Sequence, residues 1–401
     1  MVRPSFHGRE IMERTASLEG ITVIDFTAMM AGPFATRMLA DCGADVIKLE
    51  PLTGDYMRYR SPIRNGRSAY YGQMNSGKKS VAIDLKSPEG RAIALDLVSR
   101  ADAIVENYRP EVMAGLGLDY DTLHKQFPRL VYCSITGFGQ KGERARDPAY
   151  APIIHAASGY DMAHLKYNEG LERPATTGIF TADVISAIYA FGAIQTALLH
   201  RERFGVGQHV DVTLIDAMLN MLVYEMQEAQ FQTTQRRPLY QPLKAADGFV
   251  MAAPVNQKNF EGLAIAIGHP EWNQDPRFST ITAREHNWGM LMELIEEWTL
   301  SRPAAECEAT LMRAGVPCSR YKTVGDLLAE PAMIDRGTFE EVSDGSGPFS
   351  IPRQPFTFSD APVVSRPHVS DLGEDTAGVL GGMLGMDEAR IADLRARKVL
   401  L

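Results

Sequence analysis

Thirty residues, Ile21 to Glu50, constrain this chain more than any other stretch. ITVIDF is a short run rich in β-branched residues, the composition of a strand buried on both faces. Gly32-Pro33 then suits a helix start, since proline is tolerated in the first turn, and Gly43 suits its end. Asp45–Leu49 (DVIKL) reads as a second strand. Strand, helix and strand in this span make a βαβ unit, which implies a parallel sheet.

The pattern recurs downstream. Ser80–Leu85, Ala103–Val105 and Leu130–Ile135 read as further strands. Between the first two, Ser87 is placed as the N-cap of a helix with Pro88 at its first position. Residues 20–140 therefore have the pattern of an open, doubly wound α/β domain, whose ligands sit at the carboxyl ends of the strands. A long apolar helix is expected over Thr181–Arg203, then a strand (HVDVTL) and a helix from about Ile215 to Gln230. Thr233–Ala246 is polar and proline-containing, a candidate linker. A second unit opens at Asp247, with helices near 257–267, 283–300 and 303–314. Residues 335–375, rich in Pro, Gly, Ser and Asp, read as extended loop, and a last helix is expected over about Asp387–Arg397.

The balance of 41 basic against 50 acidic residues gives a net charge of −9, which argues against a general nucleic-acid binder. An anionic ligand would need a local cluster of cations or helix N-termini. Cys42, Cys133, Cys307 and Cys318 are far apart, with no zinc or redox spacing, and read as reduced thiols of a cytosolic protein. The N-terminal stretch lacks the apolar core of a signal peptide, and the long apolar helix, with Asp183 and Gln195 in it, reads as buried. The nine histidines are scattered, so no metal site is expected. Gly137–Gly142 (GFGQKG) matches G-x-G-x-x-G, but charged residues and Pro148 follow where a dinucleotide fold needs an apolar helix. Phosphate-loop and hydrolase nucleophile motifs are absent.

Longer strings carry a resemblance. LEGITVIDFTAMMAGPFATRMLADCGADVIKLEP, MNSGKKSVAIDLKSPEGRAIALDLVSRADAIVENYRPEVMAGLGLDYDTL, FPRLVYCSITGFGQKG, GIFTADVISAIYAFGAIQTALLHRERFGVGQHVDVTLIDAML and AGVPCSRYKTVGDLLAEPAMIDRG follow one another from about Leu18 to the C-terminal part. Together they resemble family III CoA-transferases, a family that also contains α-methylacyl-CoA racemases. The resemblance implies an open Rossmann-like large domain with an inserted smaller α/β domain, in an interlocked dimer. On this chain that gives 18–234 as the first part of the large CoA-binding domain, 235–325 as the small domain and 326–401 as the return segment.

The implied activity is movement of CoA from an acyl-CoA donor to a carboxylic acid, through a carboxylate of the enzyme that becomes first an anhydride and then a thioester. A coenzyme A thioester is then a substrate, with no permanently bound cofactor. The partners are acyl-CoA and a small acid, without nucleic acid or membrane, in a homodimer or in a heteromer with a related subunit. The resemblance places the nucleophile eleven or twelve residues ahead of Asp183, where no Asp stands; Glu172 is nearest and Glu169 second. Asp183 itself matches the acid–base Asp of the racemases, whose His position holds Tyr150, and it equally suits a helix N-terminus. Ile83, Lys86, Asn107 and Tyr108 match CoA-contacting positions. Pro51, Thr136 and Met30 depart from the formyl-CoA transferase pattern, and the glycine run of some small domains is missing. A racemase or epimerase, and a CoA-binding subunit without its own nucleophile, stand as alternatives.

Overall fold

The computed structural model describes residues 15–168, 170–231 and 238–401. The chain forms two units. The larger runs to Val223 and resumes at Gly337–Leu401; the smaller is Tyr224–Arg336.

The larger unit is built on six parallel strands: β1 (Thr22–Asp25), β2 (Asp45–Glu50), β3 (Lys79–Ala82), β4 (Ala103–Glu106), β5 (Val131–Thr136) and β6 (His209–Thr213). Their order is β3-β2-β1-β4-β5-β6. The order reverses between β1 and β4, and that reversal opens a crevice at the carboxyl ends of these two strands. Both faces of the sheet are covered, which is why its strands read as continuous apolar runs. Val23, Val46, Val105 and Val131 pack beneath α1 (Ala31–Asp41) and a later helix, joined by Leu39, Ala187 and Ile194. Ile24, Ile47, Ile104 and Val81 face α2 (Pro88–Val98), with Ile93 and Leu97. The expected cap of α2 is present: Ser87 Oγ accepts the Gly90 N–H at 2.9 Å, with Pro88 in the first turn.

After β5 the chain makes α3 (Ala151–Ala157) and α4 (Thr181–Phe204), then β6 and α5 (Leu214–Met221). The GFGQKG segment is a turn, with Gly139 and Gly142 at φ +90° and +103°, a conformation open to glycine. No dinucleotide helix follows it directly. The single helix expected over 215–230 is two: α5 ends at Met221, and α6 (Val223–Gln230) begins after Leu222, whose ψ of 53° leaves the helical range.

The smaller unit has a three-stranded antiparallel sheet, β7 (Leu243–Ala245), β8 (Gly248–Ala252) and β9 (Cys318–Arg320), with β8 central. Helices α7 (Gln257–Ala266), α8 (Trp288–Thr299) and α9 (Ala304–Arg313) pack on it through Phe260, Leu263, Ile295 and Leu311. The helix expected over 283–300 is divided at Asn287 into Ile281–His286 and α8.

The expected loop over 335–375 contains a hairpin, β10 (Phe339–Asp344) and β11 (Gly347–Pro352). Its Phe349 ring lies against Gly72, where any Cβ would collide with it at 2.5 Å. A helix not expected from sequence, α10 (Thr376–Leu384), precedes the expected last one, α11 (Glu388–Ala396). Val379, Leu380, Ile391 and Leu394 complete the core on the α2 face of the sheet, and Leu400 bridges to Ile83.

Candidate active site

A cavity of about 270 Å³ lies at the β1/β4 crevice. Ala28, Met29 and Ala31 follow β1; Asn107, Tyr108, Arg109 and Pro110 follow β4; Ile135, Thr136 and Gly137 end and follow β5. Asp147, Tyr150, Asp183 and Leu214 also line it, with Ala145 and Ala149.

The Thr27–Met30 loop is held from both sides. Below it, Asp25 at the end of β1 accepts the Thr27 N–H (2.8 Å), the hydroxyls of Thr27 (2.5 Å) and Thr36 (2.6 Å), and Lys78 Nζ (3.0 Å). Lys48 donates to the Thr27 carbonyl at 2.7 Å and pairs with Asp55 at 3.0 Å. Burial works to raise the Asp25 pKa, but Lys78, Lys48 and the two hydroxyls outweigh it and bring the carboxyl down to about 2. Beside the loop, Asn107 clamps the backbone of Ala28: its Oδ1 accepts the Ala28 N–H and its Nδ2 donates to the Ala28 carbonyl, both at 2.8 Å. Between these anchors Met29 is held at φ +67°, a strained conformation for a side chain with a Cβ.

Asp183 stands in the first turn of α4. Burial alone raises its pKa, to about 6, with no neighbouring charge or donor to offset the desolvation. Among the described residues its carboxylate has no hydrogen-bond partner within the chain. It is a partly buried carboxylate on the cavity wall, ionised at neutral pH.

Of the residues singled out from sequence, Asp183, Asn107 and Tyr108 meet at this cavity. The Asn107 amide is engaged with Ala28, so its part there is to shape the loop. Tyr108 is half-buried; its N–H donates to Glu106 Oε2 at 2.9 Å. Ile83 is a core residue paired with Leu400, and Lys86 is exposed; neither lines the cavity, though both follow β3 at the same edge of the sheet. Glu172 is exposed at a bend and is not part of the cavity wall. Glu169 lies outside the described residues. Sequence reasoning did not single out Arg109 or Asp147. For Arg109 the available signal was a cation three residues beyond a strand end.

Fold and crevice together define a doubly wound enzyme with a carboxylate at its strand switch point. The sequence profile of CoA-transferase family III matches residues 18–376. A succinate–glutarate CoA-transferase of Agrobacterium fabrum is 34% identical over 392 residues, covering 92% of this chain and 96% of its own. An acetyl-CoA:oxalate CoA-transferase of Acetobacter aceti is 36% identical over 377 residues, covering 90% and 94%. The crystal structure of a CaiB/BaiF family protein from Brucella suis superposes with a TM-score of 0.81 at 33% identity, covering 92% of this chain and all of that one. The chain belongs to CoA-transferase family III, and its activity is the transfer of CoA from an acyl-CoA to a carboxylic acid.

Proposed function

We propose that Asp183 is the nucleophile of this transfer and that the acid accepting CoA is a short dicarboxylate. One observation carries the first part: Asp183 is a cavity-wall carboxylate at the strand switch point with no partner of its own, whereas Glu172 lies in solvent. An unpartnered carboxylate keeps its lone pairs for attack.

In the first step an Asp183 oxygen attacks the thioester carbonyl, the C–S bond breaks and CoA leaves as thiolate. The product is a mixed anhydride between Asp183 and the acyl group. The thiolate then attacks the Asp183 carbonyl, releasing the donor acid and leaving an enzyme thioester. The acceptor carboxylate attacks that thioester and expels the thiolate again. A final attack on the acceptor carbonyl gives the new acyl-CoA and restores Asp183. No net proton is consumed, so Asp183 enters and leaves the cycle as a carboxylate. Tyr150, on the same wall, offers an O–H to the developing oxyanions.

Two observations support the dicarboxylate. The relatives named above are named for succinate, glutarate and oxalate, and Arg109, a lining residue of the cavity, has a side chain suited to pair with the carboxylate that does not react. The exposed apolar face of α4, with Ile188, Tyr189, Leu199 and Phe204, supports a dimer as the working form.

Intact-protein mass spectrometry after incubation with succinyl-CoA, glutaryl-CoA and acetyl-CoA tests this reading. Borohydride or hydroxylamine should trap an adduct on the peptide carrying Asp183. An adduct elsewhere, or exchange of the acyl α-proton with solvent and no adduct, overturns it.

The pH dependence follows in sign from the raised pKa of Asp183. Protonation removes the nucleophile, so kcat/KM should be level above pH 7 and fall about tenfold per unit below a midpoint of about 6. A profile flat to pH 4.5 would show that no carboxyl of this kind is required.

A further inference from the structure

The 24-residue helix that carries Asp183 begins without a conventional cap. Its N-cap position is Phe180, which has no capping side chain, and its first-turn amides need partners. His155 of α3 supplies one. Its Nε2 accepts the Ala182 N–H at 3.1 Å. On the other side of the same residue, Ser186 Oγ donates to the Ala182 carbonyl at 2.6 Å. His155, Ala182 and Ser186 are each at most 1% exposed. The residue preceding Asp183 is therefore gripped at its N–H and its C=O by two buried side chains.

The imidazole fills this role at a cost. Accepting at Nε2 puts its proton on Nδ1, and Nδ1 is buried with no hydrogen-bond partner among the described residues. An aliphatic side chain would fill this volume without an unpaired buried donor. Besides a ring contact with Tyr160, the gain visible at this position is the bond to the turn that holds Asp183. Burial also lowers the pKa of His155, which favours the neutral ring that can accept.

We propose that His155 is a positioning residue for the transfer, acting as a borrowed N-cap that fixes the Ala182–Asp183 backbone and so aims the Asp183 carboxylate into the cavity. This rests on Asp183 being the nucleophile. A glutamine can place an amide oxygen where Nε2 lies; asparagine, one methylene shorter, falls short, and leucine offers no acceptor.

The test compares His155→Gln, His155→Asn and His155→Leu, each normalised to the fraction of protein that binds CoA. A displacement of about 1 Å in a reacting group costs on the order of 100-fold. His155→Leu and His155→Asn should lose about 10- to 100-fold in kcat, with KM for the acyl-CoA within about threefold. His155→Gln should recover to within about fivefold of wild type. Should the leucine variant fail to fold, the contrast between Gln and Asn still decides. Wild-type kcat in His155→Asn, or equal loss in the Gln and Asn variants, overturns the proposal. Asp183→Asn separates the two readings: if it stays active the nucleophile assignment fails, and if it is dead while the His155 variants are unimpaired only the positioning role fails.

Discussion

Replacing Asp183 by asparagine should abolish CoA transfer, by a factor of about 10³ or more, and remove the trapped adduct, because the other carboxylate on the cavity wall, Asp147, is held by Arg144 at 2.9 Å. The same substitution should make the protein more stable. The carboxyl has a pKa of about 6 in the fold against 3.8 unperturbed. Below pH 3.8 both states hold the proton and nothing is gained. Between 3.8 and 6 the unfolded chain ionises first and the fold is progressively penalised. Above 6 the penalty is constant, about 2–3 kcal/mol at most for a shift of about two units. Urea unfolding at pH 7.5 should therefore find the variant more stable by up to that amount, and the difference should shrink at pH 4.5. Glu172→Gln is the control: as Glu172 is exposed and off the cavity wall, its loss should leave kcat within about twofold. Loss of transfer in Glu172→Gln with transfer retained in Asp183→Asn would move the nucleophile to Glu172.

Lys78→Met should be the most destabilising single change in the larger unit, by about 3–5 kcal/mol, because it leaves Asp25 buried and ionised without the lysine it pairs with. Asp25 is fully buried and its pKa is about 2 in the fold against 3.8 unperturbed. A lowered carboxyl pKa contributes stability that is complete above 3.8 and lost as pH falls towards 2. Adding Asp25→Asn to Lys78→Met should recover part of the loss, since an amide needs no counter-charge. Chemical denaturation of the single and double variants measures the coupling. A double variant as unstable as the sum of the two singles would show that the pair is not coupled. Because this pair lies under the strained Met29 loop, both single variants should also weaken substrate binding.

Both outcomes depend on features that differ in how far the sequence exposes them. The inner parallel strands were legible because a strand covered on both faces is mostly apolar, as in ITVIDF and DVIKL. The α2 cap was legible because Ser87-Pro88 acts locally. The hairpin of β10 and β11 was not, because its Pro, Gly, Ser and Asp residues are those of loops and its stability comes from Val342 and Ile351 packing against Met57 and Tyr71, nearly 300 positions earlier. Helix α10, with three glycines in nine residues, has poor intrinsic propensity and is held by Val379 and Leu380 in the core.

The site divides in the same way. Asn107 and Tyr108 were found through resemblance, but the engagement of the Asn107 amide with Ala28 is a relation between the ends of two strands 79 positions apart. Asp183 was singled out through resemblance, as a racemase-type acid–base residue or an acid at a helix start; its desolvation comes from the packing of α4 beside the switch point. The contact of His155 with Ala182 spans 27 positions and has no local signature.

The discontinuity of the larger unit also bears on how the protein is made. Ile83 receives its bridging partner, Leu400, 400 − 83 = 317 residues later, and α10 and α11 finish the same core. Tyr224–Arg336, by contrast, is continuous in sequence and has its own core. During synthesis the inner unit can be completed while the outer sheet still exposes the Ile83 side of its apolar face. Such a half-covered parallel sheet is slow to close and prone to mispairing, so nascent chains stalled between about residues 340 and 375 should be the species most dependent on chaperones.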